Sequence, residues 1–284
     1  MKILHRKQIP NSYKLKSIAE ILILPENKDD LYHIFKNFTE KKIVVLGRGN
    51  NIILSKEYYN DSYAFVILND NFSNYSIYKN KITALAGIDM KYLSMIAMCH
   101  SLSGLEHFFG LPSSLGGAVY MNAGAYDFET SQITEKIIFF DIEKKEFKEL
   151  KGEECKFAYR KSIFQNLNGI IAEVTLQLKH SNKKEIYARM IDLYNKRLEK
   201  QPLDFPSAGS VFKRPKGYYV GKIIEELGLK GLSYGGAKIS EKHAGFIINY
   251  NNATSKDILT LIDIVRQKVK EKYGIWLEVE QVII

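Results

Sequence analysis

The period of apolar positions switches repeatedly along the chain, and each switch marks an element. Leu31, Ile34, Phe35 and Phe38 recur at one-face spacing and predict a short helix over 29–38. Ile43-Val44-Val45-Leu46 is a continuous apolar run, which reads as a buried strand, and the turn-rich Gly47-Arg48-Gly49-Asn50-Asn51 follows it. A second strand is predicted over 63–68. Alternation over 75–86 around Lys79-Asn80 predicts a hairpin. Met90, Leu93, Ala97 and His100 fall on one side of a helix predicted over 89–102. The stretch 104–126 is rich in Gly, Ser, Ala and Asn and shows neither period. A strand pair over 136–150 turning at Lys144-Lys145, a strand over 170–178 and a helix over 183–200 come next.

Two prolines within 201–206 mark a boundary, beyond which the pattern resets. A helix over 220–227 ends at Gly228, a residue suited to the left-handed position past a helix end. Strands are predicted near 232–239 and 245–250. Thr254, with Asp257 three residues on, has capping-box spacing and opens a long helix that stops at Gly274. A last strand is predicted over 276–284. The first two-thirds therefore read as strand-rich α+β and the last third as mixed β/α.

Composition narrows the class. The chain has 284 residues, 45% of them hydrophobic, enough for two or three cores and unlike a disordered protein. Its formal net charge is +9. That excess fits either compositional drift or attraction of an anion, and no zinc-finger or RNP-like pattern points to nucleic acid. The two cysteines, Cys99 and Cys155, form neither a disulfide framework nor a CxxC metal site, so a reduced cytoplasmic compartment is expected. The N-terminal stretch lacks the apolar core of a signal peptide, and no apolar run reaches the ~18 residues of a membrane span.

Four segments can carry chemistry. Gly47-Arg48-Gly49-Asn50-Asn51 lets backbone N–H groups approach a phosphate, although an ordinary tight turn explains it equally well. Gly110-Leu111-Pro112-Ser113-Ser114-Leu115-Gly116-Gly117-Ala118 and Asn122-Ala123-Gly124-Ala125-Tyr126 together suit a pyrophosphate and a flat ring system. Ser207-Ala208-Gly209-Ser210-Val211-Phe212-Lys213-Arg214-Pro215 offers a hydroxyl and two cations able to grip phosphate. Glu278 and Glu280 alternate on the last predicted strand and share one face. The six histidines show no metal-ligand spacing, and Ser210 has no visible histidine partner, which disfavours a metal site and a hydrolase triad. Without a GxxxxGK[ST] loop, P-loop chemistry is excluded.

Taken together, these segments resemble the UDP-N-acetylenolpyruvoylglucosamine reductase family of flavin enzymes. The matching residues include Gly47-x-Gly49-Asn50-Asn51, Gly116-Gly117-Ala118, Met121-Asn122-Ala123-Gly124-Ala125-Tyr126, Tyr159-Arg160-x-Ser162, the 206–215 segment and Ser240-Glu241-Lys242-His243-Ala244-Gly245-Phe246, in family order over nearly the whole chain. The resemblance implies an α+β fold of three lobes. Two of them, 1–72 and 73–200, would form an FAD-binding fold of the vanillyl-alcohol-oxidase/PCMH type, and a C-terminal α/β lobe, 201–284, would bind the substrate. The short interval between Arg160 and Ser210 resembles the compact branch of the family, which lacks an inserted tyrosine loop.

By resemblance, Arg160, Ser210 and Glu280 (rather than Glu278) are the catalytic residues. Gly47, Gly49, Asn50, Asn51, Ser113, Ser114, Gly117, Asn122, Gly124 and Ala125 would hold FAD. Tyr159, Lys213, Arg214 and His243 would bind a UDP-sugar, with NADPH as hydride donor and no metal. No nucleic acid, membrane insertion or obligate protein partner is expected. An FAD-linked oxidase of the same binding fold, or a non-catalytic flavin-binding relative, are the competing expectations. The chain departs from the family pattern at Ser17-Ile18 (for Gly-Gly), Asn50 (for Ser), Ser113 (for Gly) and Gln281-Val282 (for Val-Arg).

Overall fold

A computed structural model describes residues 1–284. The chain divides into two compact units. The first comprises Met1–Lys7, Ala19–Arg48 and Asn60–Lys196; the second comprises Gln8–Ile18, Gly49–Tyr59 and Arg197–Ile284. The fold is α+β, with helices interspersed among largely antiparallel sheets.

The first unit is built on two sheets. One has the strand order Lys2–Gln8, Ile18–Leu24, Tyr63–Ile67, Lys42–Leu46, and Tyr63–Ile67 runs parallel to both of its neighbours. The other is antiparallel throughout, in the order Glu146–Lys151, Thr134–Asp141, Gly169–Gln177, Lys81–Leu85, Tyr75–Tyr78. A single apolar core runs from Ile21 to Leu178 and includes Leu31, Ile34, Phe35, Val66, Leu93, Leu115, Phe140 and Val174. Both helices open on side-chain caps that the apolar spacing did not reveal. Asn27 caps Lys28–Asn37 by accepting from the Asp30 N–H at 3.0 Å, and Asp89 caps Met90–Cys99 through the Tyr92 N–H at 2.9 Å.

In the second unit an antiparallel sheet of Ser233–Tyr234, Ala237–Ile239 and Ile247–Asn249 carries the helix Ser255–Tyr273. That helix buries Ile258, Leu261, Ile262, Val265 and Val269 at one-face spacing. It opens on the Thr254–Asp257 capping box and ends at Gly274, whose φ of 69° is left-handed. Val282–Ile283 pairs in parallel with Ile52–Ile53. No helix is long and apolar enough to cross a membrane.

The structure corrects three readings of the pattern. The strands Lys2–Gln8 and Ile18–Leu24 were not predicted; Lys2–Gln8 is exposed along nearly its whole length, so it carries no apolar alternation. The strand expected over 232–239 is two strands joined at Gly235-Gly236, because Gly235 has a φ of 52° and the Asp257 carboxylate occupies the place of a Cβ. The strand expected over 276–284 is paired only at Val279 and at Val282–Ile283.

Candidate functional site

In the first unit, two glycine clusters far apart in sequence meet. A Cβ on Gly47 would overlap the Ser114 hydroxyl, so the turn after Lys42–Leu46 lies against the loop that opens the helix Leu115–Tyr120. Ser114 caps that helix, and its Oγ accepts from the Gly117 N–H at 3.3 Å. The adjacent glycines do different things. Gly116 is buried, and a Cβ there would come within 2.7 Å of Ala86 Cβ. Gly117 is only half-buried and meets nothing but the hydroxyls of Ser114 and Ser113. Arg48 pairs with Asp70 and Asp89, and Asp89 forms an isolated bridge with Ser114, which ties the turn to the loop.

The 122–129 hairpin follows. Gly124–Ala125 pairs with Phe128–Glu129, and the turn residues Tyr126 and Asp127 both have positive φ, the hand that hairpin strands need. Gly124 is glycine because a Cβ would overlap the Phe128 carbonyl. Asn122 is buried and fully used within the protein: its amide donates to Glu129 Oε2 at 2.7 Å and Ala158 O at 3.0 Å, and its oxygen accepts from the Ser131 N–H at 3.0 Å. Its side chain therefore shapes the loop.

Arg160 is anchored on this hairpin. Its guanidinium donates to Gly124 O at 3.0 Å and Asn122 O at 3.4 Å, lies 3.8 Å from Glu129 Oε1, and sits 5.0 Å from the Tyr159 ring centroid. Residues 158–161 form a tight turn closed by reciprocal Ala158–Lys161 backbone bonds, and Arg160 occupies it with a left-handed φ of 54°. A non-glycine residue there costs on the order of 1 kcal/mol. The buried Ser162 offsets this strain by donating to Tyr120 O at 2.6 Å, and Gln165 does so by donating to Arg160 O at 3.1 Å.

In the second unit, Ser210 and Glu280 come onto neighbouring extended segments. Phe212 bridges Val279, Lys213 N–H donates to Glu278 O at 2.9 Å, and Glu280 N–H donates to Val211 O at 2.8 Å. On its other side Ser210 bridges Phe246, and Val211 N–H donates to Gly245 O at 3.0 Å. The two glutamates are thereby separated in role. Glu278 is exposed and bound to Lys213 Nζ at 2.6 Å, whereas Glu280 is half-buried beside the Ser210 segment. Arg214 is exposed and stacks 4.7 Å from the Tyr219 ring centroid.

His243 lies against Phe246, with 4.8 Å between ring centroids. Its Nδ1 accepts from the Gly245 N–H at 3.1 Å, which assigns the neutral ring's proton to Nε2. Burial holds its pKa below the ordinary value, with the Lys230 charge acting in the same direction.

The sequence assigned Gly49, Asn50 and Asn51 to a cofactor, and the structure adds partners it did not reveal. Gly49 has a φ of 67°, and a Cβ there would overlap the Pro10 carbonyl. Asn50 donates to Ser12 Oγ at 2.5 Å, while its Oδ1 is buried with no hydrogen-bond partner. Asn51 donates to Glu280 O at 3.2 Å. Tyr13 and Gln281 are both buried; the sequence did not single out Tyr13, and it marked Gln281 only as a departure from the family pattern. Tyr13 OH donates to Gln281 Oε1 at 3.0 Å across 268 positions of chain, a separation that leaves no local signal.

A two-unit α+β protein with a glycine-lined loop in one unit and a serine–glutamate strand pair in the other defines a class of loop-built binding enzyme. Comparison with known proteins makes the class specific. Residues 201–284 match the family model for the C-terminal domain of UDP-N-acetylenolpyruvoylglucosamine reductase. The chain is 42% identical over 268 residues to the UDP-N-acetylenolpyruvoylglucosamine reductase of Caldanaerobacter subterraneus subsp. tengcongensis, covering 94% of this chain and 87% of that one. It is 40% identical over 276 residues to the Francisella tularensis enzyme of the same name, covering 96% of both. The crystal structure of the Thermus caldophilus UDP-N-acetylenolpyruvylglucosamine reductase superposes over 100% of this chain and 99% of its own, with a TM-score of 0.83 at 33% identity. The chain belongs to the UDP-N-acetylenolpyruvoylglucosamine reductase family.

Proposed function

We infer that this protein reduces UDP-N-acetylenolpyruvoylglucosamine to UDP-N-acetylmuramate, a step of peptidoglycan precursor synthesis, with FAD as its redox group and NADPH as hydride donor. The observation that carries this reading is a 42% identical match to a family member that covers 94% of the chain. Within that match, Ser210 and Glu280 lie on hydrogen-bonded neighbouring segments. The cytoplasm is the proposed compartment, in keeping with two unpaired cysteines.

The residues fit FAD on two counts. Gly117 offers a half-buried face without side-chain bulk, with only the Ser114 and Ser113 hydroxyls within 4 Å of where a Cβ would lie, and the buried Asn50 Oδ1 has no donor within the protein. The segments 47–51, 113–117 and 122–125 would hold the cofactor, Asn122 by shaping its loop. On this reading 1–72 and 73–200 serve FAD, and 201–284 serves the UDP-sugar.

Held by these segments, FAD would supply the hydride chemistry, with NADPH as the source of the hydride and the enolpyruvyl methylene carbon as its acceptor. The substrate is left with negative charge on the carbon beside its carboxylate, and one proton completes saturation of the double bond. Arg160 offsets that charge with its guanidinium. Ser210 Oγ–H donates the proton; a hydroxyl is a weak acid, but an enolate is a strong base and position outweighs bulk acidity. Glu280 serves as hydrogen-bond donor or water-orienting group beside it. Lys213 and Arg214 grip the diphosphate, Lys213 exchanging the exposed Glu278 carboxylate for phosphate. Tyr159 and the Nε2–H of His243 are further substrate contacts. NADPH and the sugar nucleotide take turns at one site.

The test is consumption of NADPH that depends on UDP-N-acetylenolpyruvoylglucosamine, followed by separate anaerobic half-reactions of Ser210→Ala. Flavin bleaching by NADPH stays near normal, and reoxidation by the enolpyruvyl substrate slows by about 10²–10⁴. Slowing of both halves together, or of neither, removes Ser210 from the proton-donor role.

A further inference from the structure

We propose that Gln281, held in one orientation by Tyr13, is a positioning residue that sets Ser210 against Glu280; the proposal rests on the reading of Ser210 as proton donor. Gln281 is only 3% exposed. Its amide nitrogen donates to Ala208 O at 3.0 Å and to Gly209 O at 3.2 Å. Those carbonyls belong to the two peptide planes on either side of the Gly209 α-carbon. Gly209 has a φ of 78°, and a Cβ there would meet nothing within 4 Å. The glycine is thus present for backbone freedom and not for want of space, and it directly precedes Ser210. One side-chain amide ties down both planes of the loosest residue next to the reacting hydroxyl.

The amide is itself oriented. Tyr13 is fully buried and donates to Gln281 Oε1. Burial pushes the Tyr13 phenol far above its ordinary pKa, so it stays protonated and remains a donor. A donor on the oxygen side forces the NH₂ group toward the two carbonyls.

The same residue is joined to Glu280 by the chain. Glu280 N–H donates to Val211 O, Asn51 donates to Glu280 O, and Val282 N–H donates to Asn51 O at 2.9 Å. The carboxylate-bearing peptide is therefore pinned from both sides while its neighbour grips the Ser210 loop. The three hydrogen bonds of Gln281 all serve the geometry between 208–211 and 280–281.

Gln281→Glu is nearly isosteric and replaces the NH₂ with an oxygen that repels both carbonyls; Tyr13→Phe removes one hydroxyl and is the milder variant. Each is made in the purified holoenzyme, alone and combined with Ser210→Ala, and followed by stopped-flow absorbance in each half-reaction. Gln281→Glu slows reoxidation by the enolpyruvyl substrate about 10–100-fold, the usual effect of displacing a reacting group by a fraction of an ångström to 1 Å. Tyr13→Phe slows it less, NADPH-driven bleaching stays within about twofold for both, and neither variant adds to the loss in the Ser210→Ala background. In a Cys99→Ser background, the thiol of Ser210→Cys is alkylated by iodoacetamide about threefold faster or more when combined with Gln281→Glu, reporting the loosened loop without turnover. If Ser210→Ala leaves reoxidation at the wild-type rate, the reading of Ser210 falls and this proposal with it. If Ser210→Ala slows reoxidation but Gln281→Glu and Tyr13→Phe do not, the proposal alone falls. Equal slowing of both halves, a Gln281→Glu effect that persists without the serine, or unchanged alkylation also overturns it.

Discussion

On the proposed function, the adjacent glycines of the helix Leu115–Tyr120 separate a packing role from a cofactor role within one turn. A Cβ on Gly116 would stand 2.7 Å from Ala86 Cβ and 3.2 Å from Ala86 O, and the Gly116 N–H already donates to that carbonyl at 2.8 Å. Ordinary carbon contacts lie at about 3.5–4.0 Å, so Gly116→Ala forces helix and strand apart by about 1 Å. Overpacking of this kind costs about 1–3 kcal/mol. The higher helix propensity of alanine returns about 0.5–1 kcal/mol. At mid-range the net loss is about 1 kcal/mol, which lowers the Tm of the apoprotein by about 2–4 °C. At Gly117 the nearest atom is Ser114 Oγ at 3.2 Å, a hydroxyl that can turn away. Gly117→Ala therefore leaves the apoprotein Tm unchanged or slightly raised, and, on the proposed assignment of this loop to FAD, Gly117→Val folds but purifies colourless because its methyls would enter the cofactor's space. The assays are thermal melting of the flavin-free protein and flavin absorbance per chain of the purified protein. Stoichiometric FAD in Gly117→Val refutes the cofactor assignment. An unchanged Tm for Gly116→Ala refutes the packing geometry from which both were argued.

Three further outcomes are expected. Arg214→Ala raises the KM for the sugar nucleotide about tenfold or more with a smaller change in kcat, because phosphate grip is uniform binding; an unaltered KM removes Arg214 from the site. Glu280→Gln lowers kcat by about 10²-fold or more, whereas the exposed, Lys213-bound Glu278 tolerates Glu278→Gln within about threefold; the reverse order would reassign the carboxylate. Acidification below the ordinary histidine pKa of 6.5 destabilises the fold. Burial lowers the pKa of His107 and His243, so the unfolded chain takes up protons that the folded chain refuses, and stability present above 6.5 is lost as pH falls below it. Urea midpoints show a drop between about pH 7.5 and 5.5, smaller in His107→Gln; an equal drop in that variant excludes His107 as a source.

Much of this protein is local, and what is local was legible. The Thr254–Asp257 box, Gly274 past its helix and the Lys79-Asn80 turn each act within a few residues, so composition and spacing alone predicted their elements. The residues of the candidate site were legible as types in order: small residues at 113–125, the Tyr159-Arg160 turn, and Ser210 with its cations. Their partners were not. That Gly116 is glycine for Ala86 and Gly117 is not, that Lys213 claims Glu278 and leaves Glu280, and that Asn122 spends its amide inside its own loop all depend on what lies across the fold. The largest departure is the segment Gln8–Ile18, which carries no recognisable motif yet joins the C-terminal unit and delivers Tyr13 to Gln281. A hydrogen bond between residues 268 apart leaves no period in the chain, since it depends only on the meeting of two buried polar groups that would each be costly alone.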